Sequence, residues 1–565
     1  MHYNTPTMPQ PRIIPIILLT TTVITACGGG AGTIEPQPVE PPPPPPEPVL
    51  EIEFIDSIPL NEQGSVPGYQ TAFELSHSTW SDADFAVELN CNGLNAVSTR
   101  RSASDLADIE GNQLTTHRLS CPQGIGAASH TITVKATRES GTRYEGTLDL
   151  DVGSDTPTLN VIDEQQNPQD MVDNLFAGYI LDALSDQLDS PDEVKQLLLE
   201  LIVALINSEW RYLANPEVVH DVIVRKVEYS STHPDGSAGI LSGLLAIPDI
   251  SSADDFTPRD RIILLNHATG STPSELDATD AWYILANLFA GHGFLVVAPD
   301  NFGRGTTGEL PETYLIANRV GSHSADLVRR VLDSNDYVDI HGDGRPLPIS
   351  IIGYSQGGHS AIASWMEIHH HHKDSLQTVD VYSGGAPLDL YRTFLGVMQA
   401  LDGRCNDDGY CTLVNQEAHV PYISGRVLPG IIEYTDSGIT IQDVEEDENL
   451  STQFIRGFLD NDATYDRLKA ILQMSSFQNI VNPEEVFNDE DVTLHLYHST
   501  YDRLVPVDNT KDFLSTLDGN VNAMHYEDLC DTSFYEQFFN ATDEVGILHT
   551  LCGVSMLNHV LNEIR

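Results

Sequence analysis

ISIIGYSQGGHSAIASW, residues 349–365, passes from a strand signal to a helix signal across a single serine. Ile349, Ile351 and Ile352 are β-branched and apolar, the composition of a strand covered on both faces. Gly357 and Gly358 lead into Ala361, Ile362, Ala363 and Trp365, which read as an amphipathic helix. Between the two lies Gly353-Tyr354-Ser355-Gln356-Gly357, a fit to G-x-S-x-G. In that motif the serine occupies a strained strand-to-helix turn, and small neighbours let the two elements approach closely. The helix N-terminus under the hydroxyl supplies positive potential and free N–H groups, which is what an oxyanion needs. A chance match in a loop would lack the strand before it, the helix after it and the second glycine. Ser355 is the candidate nucleophile, and the rest of the chain must supply a base and an acid.

A serine hydroxyl is a weak nucleophile at neutral pH and needs a base that a third group orients. VTLHLYHSTYDRLVP, residues 492–506, puts Asp502 on the loop just past a strand. The chain holds 83 acidic residues, so an aspartate alone means little. Its place after the strand selects Asp502 over the neighbouring Asp508. The final segment, GILHTLCGVSMLNHVLNEIR, holds two histidines. His549 is expected on a loop before a helix over 554–564, from which it can reach back to the serine. His559 falls inside that helix and reads as a packing or surface residue. The chain order is then Ser355, Asp502, His549, with the backbone N–H of Gln356 as one oxyanion donor. The second donor comes from the loop after RIILLNH, residues 261–267, and is either Ala268 or Thr269.

From residue 221 onward strands alternate with helices. VIVRKVEYSS and AGILSGLLAIP read as an antiparallel lead-in pair, and RIILLNH, FLVVAPD, ISIIGYS, TVDVYSGGA, VTLHLYHS and NAMHYED follow. That pattern predicts an α/β fold, a doubly wound, mostly parallel sheet. The alternation breaks over residues 387–490, which predicts a helical cap inserted late in the sheet, where a lid over the site would sit. Upstream, residues 160–220 read as helical: Leu175, Phe176, Tyr179, Ile180 and Leu184 share a face, and Ser190-Pro191-Asp192-Glu193 is a capping box. Residues 50–153 are short alternating runs separated by turn residues, as in a small β-sandwich. Within them GAASHTITVKATRESG resembles the late strands of bacterial immunoglobulin-like domains, modules that act as spacers or as glycan or protein binders.

Before the sandwich, residues 1–27 resemble a bacterial lipoprotein signal: Arg12, an apolar run over 13–24, then Ile24-Thr25-Ala26-Cys27 with Cys27 as the acylated residue. Residues 28–49 are a tether, glycine-rich first and polyproline afterwards. The expected location is the cell envelope, with contact to the membrane only through the lipid. Six cysteines remain of the 7. They pair with near neighbours as Cys91 with Cys121, Cys405 with Cys411 and Cys530 with Cys552, although six allow 15 arrangements. The net charge is −55 with six lysines. Self-repulsion on that scale is tolerable where salt screens it, which suits a saline habitat. It argues against nucleic acid or an anionic membrane surface as a partner.

From about residue 221 to 565 the chain resembles the α/β-hydrolase esterases and lipases, and among them the secretory-lipase group typified by the yeast type A lipase. The residues that carry the resemblance are NHATGST, VVAPDNFGRG, GYSQGG, SGGAPLDL, YDRLVP and LHTLCG. It implies a serine ester hydrolase that works through an acyl-enzyme without a cofactor, with a helical cap over an acyl-binding tunnel. Ala268 departs from the glycine usual in that family's HG-type turn, which leaves the donor geometry open. Two other readings stand beside it: a polyester depolymerase or serine peptidase of the same fold, and a non-catalytic cell-surface binder that works through its β-sandwich. No metal is expected. The adjacent helical residues His369 to His372 point in different directions, and no Cys or carboxylate cluster completes a site. NFGRGTTG lacks the G-K-[ST] of a phosphate loop and reads as a turn beside the site.

Overall fold

Nine strands form one sheet in the computed structural model. They are β1 (Leu159–Asn167), β2 (Val222–Thr232), β3 (Ala238–Pro248), β4 (Ile262–Asn266), β5 (Leu295–Pro299), β6 (Pro348–Tyr354), β7 (Gln377–Gly384), β8 (Thr493–Tyr497) and β9 (Asn522–His525). The residues described are 52–53, 72–101, 114–187, 210–249, 261–334, 348–479, 492–531 and 546–565, with short gaps inside several of these ranges. The expected leader over 1–27, the tether over 28–49 and Cys121 lie outside them.

Spatially the strands run β1-β2-β3-β5-β4-β6-β7-β8-β9. The pairings β1–β2, β2–β3 and β3–β5 are antiparallel, and every pairing from β5 to β9 is parallel. The chain winds from β4 to β5 on one side, then crosses to β6 on the other. Strand order therefore reverses at β4, and the carboxyl ends of β4 and β6 face a crevice where such sheets place their ligands.

Both faces of the sheet are covered, which is why its central strands are continuous apolar runs. Ile263 and Leu265 of β4 join one buried cluster, and Ile262 and Leu264 join another on the opposite face. Helices α2 (Ala281–Gly291) and α6 (Gly546–Ile564) cover the first; α3 (Ala317–Asp333) and α4 (Gln356–His371) cover the second. Asp280 starts α2 by accepting from the N–H groups of Trp282 at 2.7 Å and Tyr283 at 3.2 Å. Each fully buried aliphatic side chain here contributes about 1.5–3 kcal/mol. Truncating one, Ile351→Ala for example, would cost about 2–5 kcal/mol.

A strand stands where only helices were expected. β1 takes the start of the 160–220 stretch as an edge strand, followed by α1 (Gln169–Gln187), whose Val172 and Phe176 are buried. LNVIDEQQN is mostly polar because an edge strand has little core to face, and Val161 and Ile162 are 46% and 50% exposed. Further upstream, Ile52–Glu53, Ala72–Ser78, Val97–Arg101 and Leu114–Ser120 make a four-stranded antiparallel sheet. Ala83–Glu88, Ser129–Arg138 and Arg143–Asp151 make a three-stranded one. Leu75 and Leu119 of the first share a buried cluster with Ile132, Val134 and Ala136 of the second.

Between β7 and β8 the chain leaves the sheet. It forms α5 (Leu390–Leu401) and shorter helices at Gln416–Tyr422, Leu428–Tyr434, Thr452–Leu459 and Asp466–Met474, with a π-turn at Ile423–Val427. Their apolar faces make a cluster of their own, built around Phe394, Phe454 and Phe458 and joined by Tyr314, Leu315 and Ile316. A disulfide joins Cys405 and Cys411 inside this insertion, and another joins Cys530, after β9, to Cys552 of α6. Among the described residues no helix is long and apolar enough to cross a membrane.

Candidate active site

Ser355 sits between β6 and α4 with φ 58° and ψ −122°. A positive φ at a non-glycine residue costs about 1–3 kcal/mol, so the surroundings must impose it. They do so by crowding. A β-carbon on Gly353 would lie 1.9 Å from the carbonyl oxygen of Gly357, and one on Gly357 would lie 2.2 Å from that of Asn266. Only glycine lets the backbones of β4, β6 and α4 meet this closely. The Ser355 N–H donates to the Gly384 carbonyl at 2.8 Å, which ties the turn to β7 as well.

Asp502 follows β8 and is fully buried. Its Oδ1 accepts from the N–H groups of Leu504 and Val505, both at 2.9 Å. Its Oδ2 lies 2.5 Å from His549 Nδ1 and 3.4 Å from His498 Nε2. Burial by itself would raise this carboxyl's pKa. The His549 and His498 imidazoles beside it outweigh burial and hold it well below the usual carboxylate range.

His549 lies in the first turn of α6, which begins at Gly546, and not on a loop ahead of the helix. Its carbonyl accepts from the Tyr354 hydroxyl at 2.5 Å, and the two rings lie 4.9 Å apart. With Nδ1–H donating to Asp502, the tautomer leaves Nε2 with a free lone pair. That nitrogen is buried and has no hydrogen-bond partner among the described residues. His549 and Ser355 line the same cavity. His559 is engaged elsewhere, its Nδ1 2.9 Å from the Tyr497 hydroxyl and its Nε2 3.8 Å from Glu563. Asp508 begins a helix, and its carboxylate lies against Gly409 of the insertion.

The three candidate oxyanion donors, the N–H groups of Gln356, Ala268 and Thr269, carry no hydrogen bond among the described residues. All three residues line the cavity. Their loops are firmly held. His267 Nε2 is 2.9 Å from the Asp300 carbonyl, Thr269 Oγ1 is 2.8 Å from the Tyr314 hydroxyl, and Asp280 accepts from Ser271 Oγ at 2.6 Å. NFGRGTTG is a tight turn, with φ 63° at Asn301, 88° at Gly303 and 51° at Gly305. It carries Arg304 to the Gly270 carbonyl at 3.3 Å. Tyr354, His498 and Glu312 were not singled out by sequence. Glu312, whose carboxylate accepts from the Gln356 side chain, had no signal to betray it among so many acids.

The cavity measures about 860 Å³. Trp282 and Leu285 of α2 form one wall, and Phe394, Val397, Ile423 and Val427 of the insertion form another. His419 Nε2, 2.8 Å from the Leu504 carbonyl, fastens the insertion to the loop that carries Asp502. Among the described residues no three His, Cys, Asp or Glu side chains converge as they would around a metal ion.

No family model and no curated protein matches the sequence. Solved structures do. A ligand-bound form of the rice cell wall degrading esterase LipA from Xanthomonas oryzae is 18% identical, covers 72% of this chain and 98% of its own, and gives a TM-score of 0.46. Esterase E22 is 13% identical, covers 59% and 100%, and gives 0.27. These likenesses assign no role to any residue here.

Proposed function

We propose that the protein is a serine carboxylic-ester hydrolase, an α/β-hydrolase with a Ser355–Asp502–His549 triad. One observation carries this reading: His549 is bonded through Nδ1 to a buried carboxylate, while its unpartnered Nε2 shares a cavity with the strained Ser355. In the proposed reaction Ser355 Oγ attacks the ester carbonyl and His549 Nε2 takes the hydroxyl proton. Charge passes to the carbonyl oxygen, which is held by the N–H of Gln356 and one N–H of the Ala268–Thr269 turn. The imidazolium, stabilised by Asp502, returns the proton to the departing alkoxide as the carbon–oxygen bond breaks. Water then attacks the acyl-enzyme, gives its proton to His549 and releases the acid, restoring the serine hydroxyl.

The apolar cavity walled by the insertion supports monomeric esters with an acyl chain over polymers and folded proteins. In this reading the insertion is a helical cap, as in the secretory lipases the sequence resembles. The two upstream antiparallel sheets are an immunoglobulin-like spacer. Cys27 carries a lipid that holds the enzyme at the cell envelope. The activity is tested by hydrolysis of a series of nitrophenyl esters with the wild type and Ser355→Ala; equal rates would end the assignment. The anchor is tested separately. Cys27→Ser should move the protein to the soluble fraction, and retention in the membrane fraction would contradict it.

A further inference from the structure

Glu312 lies on the loop between the NFGRGTTG turn and α3, its side chain only 7% exposed. Its backbone is wedged. A β-carbon on Gly303 would lie 2.2 Å from the Glu312 Cα, and one on Gly430, in the insertion helix Leu428–Tyr434, would lie 2.2 Å from its carbonyl oxygen. The place of the carboxylate is therefore set by close backbone packing on two sides. Three side chains converge on it: the Gln356 amide donates to Oε1, Arg304 Nε lies 3.2 Å from Oε2 and Arg426 Nη1 lies 3.1 Å from the same oxygen.

Each arm ends on a part of the site. Gln356 follows the nucleophile and lines the cavity, its N–H without a hydrogen bond among the described residues. Arg304 reaches the Gly270 carbonyl on the other donor loop. Arg426 belongs to the π-turn Ile423–Val427 of the insertion, 5.9 Å from the ring of Tyr314, whose hydroxyl meets Thr269. Both oxyanion loops and the cap are thus joined at one carboxylate. Removing its charge leaves two guanidiniums, 17% and 33% exposed, without their shared counterion, which loosens the hold on both loops.

Resting on the esterase reading above, we infer that Glu312 is a positioning residue: it sets the oxyanion donors and makes their alignment depend on the seating of the cap. Small displacements of such donors are costly. Losing one outright reduces kcat about 10²- to 10³-fold, and a misplacement of about 1 Å can cost about 10²-fold. Glu312→Gln keeps the size and an acceptor for Gln356 but removes the charge. It should lower kcat on short nitrophenyl esters about tenfold or more with KM little changed, and weaken a trifluoromethyl ketone inhibitor by the same factor. Arg426→Met should act in the same direction, and Arg426→Lys should recover most of the loss. These two variants carry the test if Glu312→Gln does not fold. A kcat within about twofold of wild type would overturn the inference, and so would a loss confined to KM with the inhibitor's affinity unchanged. Labelling of Ser355 by a fluorophosphonate is run beside these measurements. An unlabelled wild type refutes the esterase reading itself. A labelled wild type with an unimpaired Glu312→Gln refutes only the role of Glu312.

Discussion

The mostly parallel sheet and the helical insertion between β7 and β8 hold the same cavity by different means. In the sheet, backbones meet at distances that only glycine permits, and two apolar clusters close off both faces. The insertion has its own cluster around Phe394, Phe454 and Phe458, and it grips the site through side chains, His419 on the Leu504 carbonyl and Arg426 on Glu312. Backbone crowding fixes reacting atoms to fractions of an ångström, whereas side-chain packing tolerates repacking. The sheet should therefore govern chemistry, and the insertion should govern which acyl groups fit.

The largest effects should fall on the sheet side. Ser355→Ala and His549→Ala should each lower kcat by about 10⁴ or more while the fold survives, and His559→Ala should stay near wild type. Steady-state kinetics with matched thermal melts separates these; a severe loss in His559→Ala alone would move the base to that residue.

Next comes acid sensitivity. Burial pushes His323 down to about 3 and His359 down to about 4, and both pack on the α3–α4 side of the sheet. Their ordinary value is about 6.5. Below that pH the unfolded chain takes up protons that the folded chain refuses, so stability is full above 6.5 and declines until the folded values are reached. The loss between pH 6.5 and about 4 should be several kcal/mol in chemical denaturation, and His323→Gln with His359→Gln should flatten it. An unchanged slope in the double variant would show that these histidines do not set it.

The disulfides give a smaller contrast. Cys530 and Cys552 are 22 residues apart and tie the loop after β9 to the His549 helix. Losing that link should cost about 3 kcal/mol, against about 2 kcal/mol for the 6-residue separation inside the insertion. Denaturant titration of Cys530→Ala and Cys405→Ala checks the order. The smallest effect belongs to the insertion. Replacing residues 387–490 with a short linker should raise KM for octanoate about tenfold more than for acetate. An unchanged chain-length profile would mean that the insertion is no lid.

What could be read from sequence follows the same division. The strand–turn–helix around Ser355 and the place of Asp502 after β8 were legible because a buried parallel strand writes itself as an apolar run. The start of α6 was not. The expected helix over 554–564 starts just past Gly553, yet a β-carbon on Gly553 would come within 3.0 Å of the Tyr354 ring, so this glycine serves close packing inside the helix. β1 escaped because an edge strand needs no apolar alternation. Glu312 escaped because two of its three partners, Gln356 and Arg426, are 44 and 114 residues away in the chain, a separation that no local pattern records.

In the proposed reaction Ser355 becomes acylated with His549 as its base. Mass spectrometry of the protein after a fluorophosphonate pulse tests it most directly. One adduct per chain is expected, on the peptide holding Ser355, formed far more slowly in His549→Ala and absent in Ser355→Ala. An adduct on another residue, or ester hydrolysis that persists at full rate in Ser355→Ala, would contradict it.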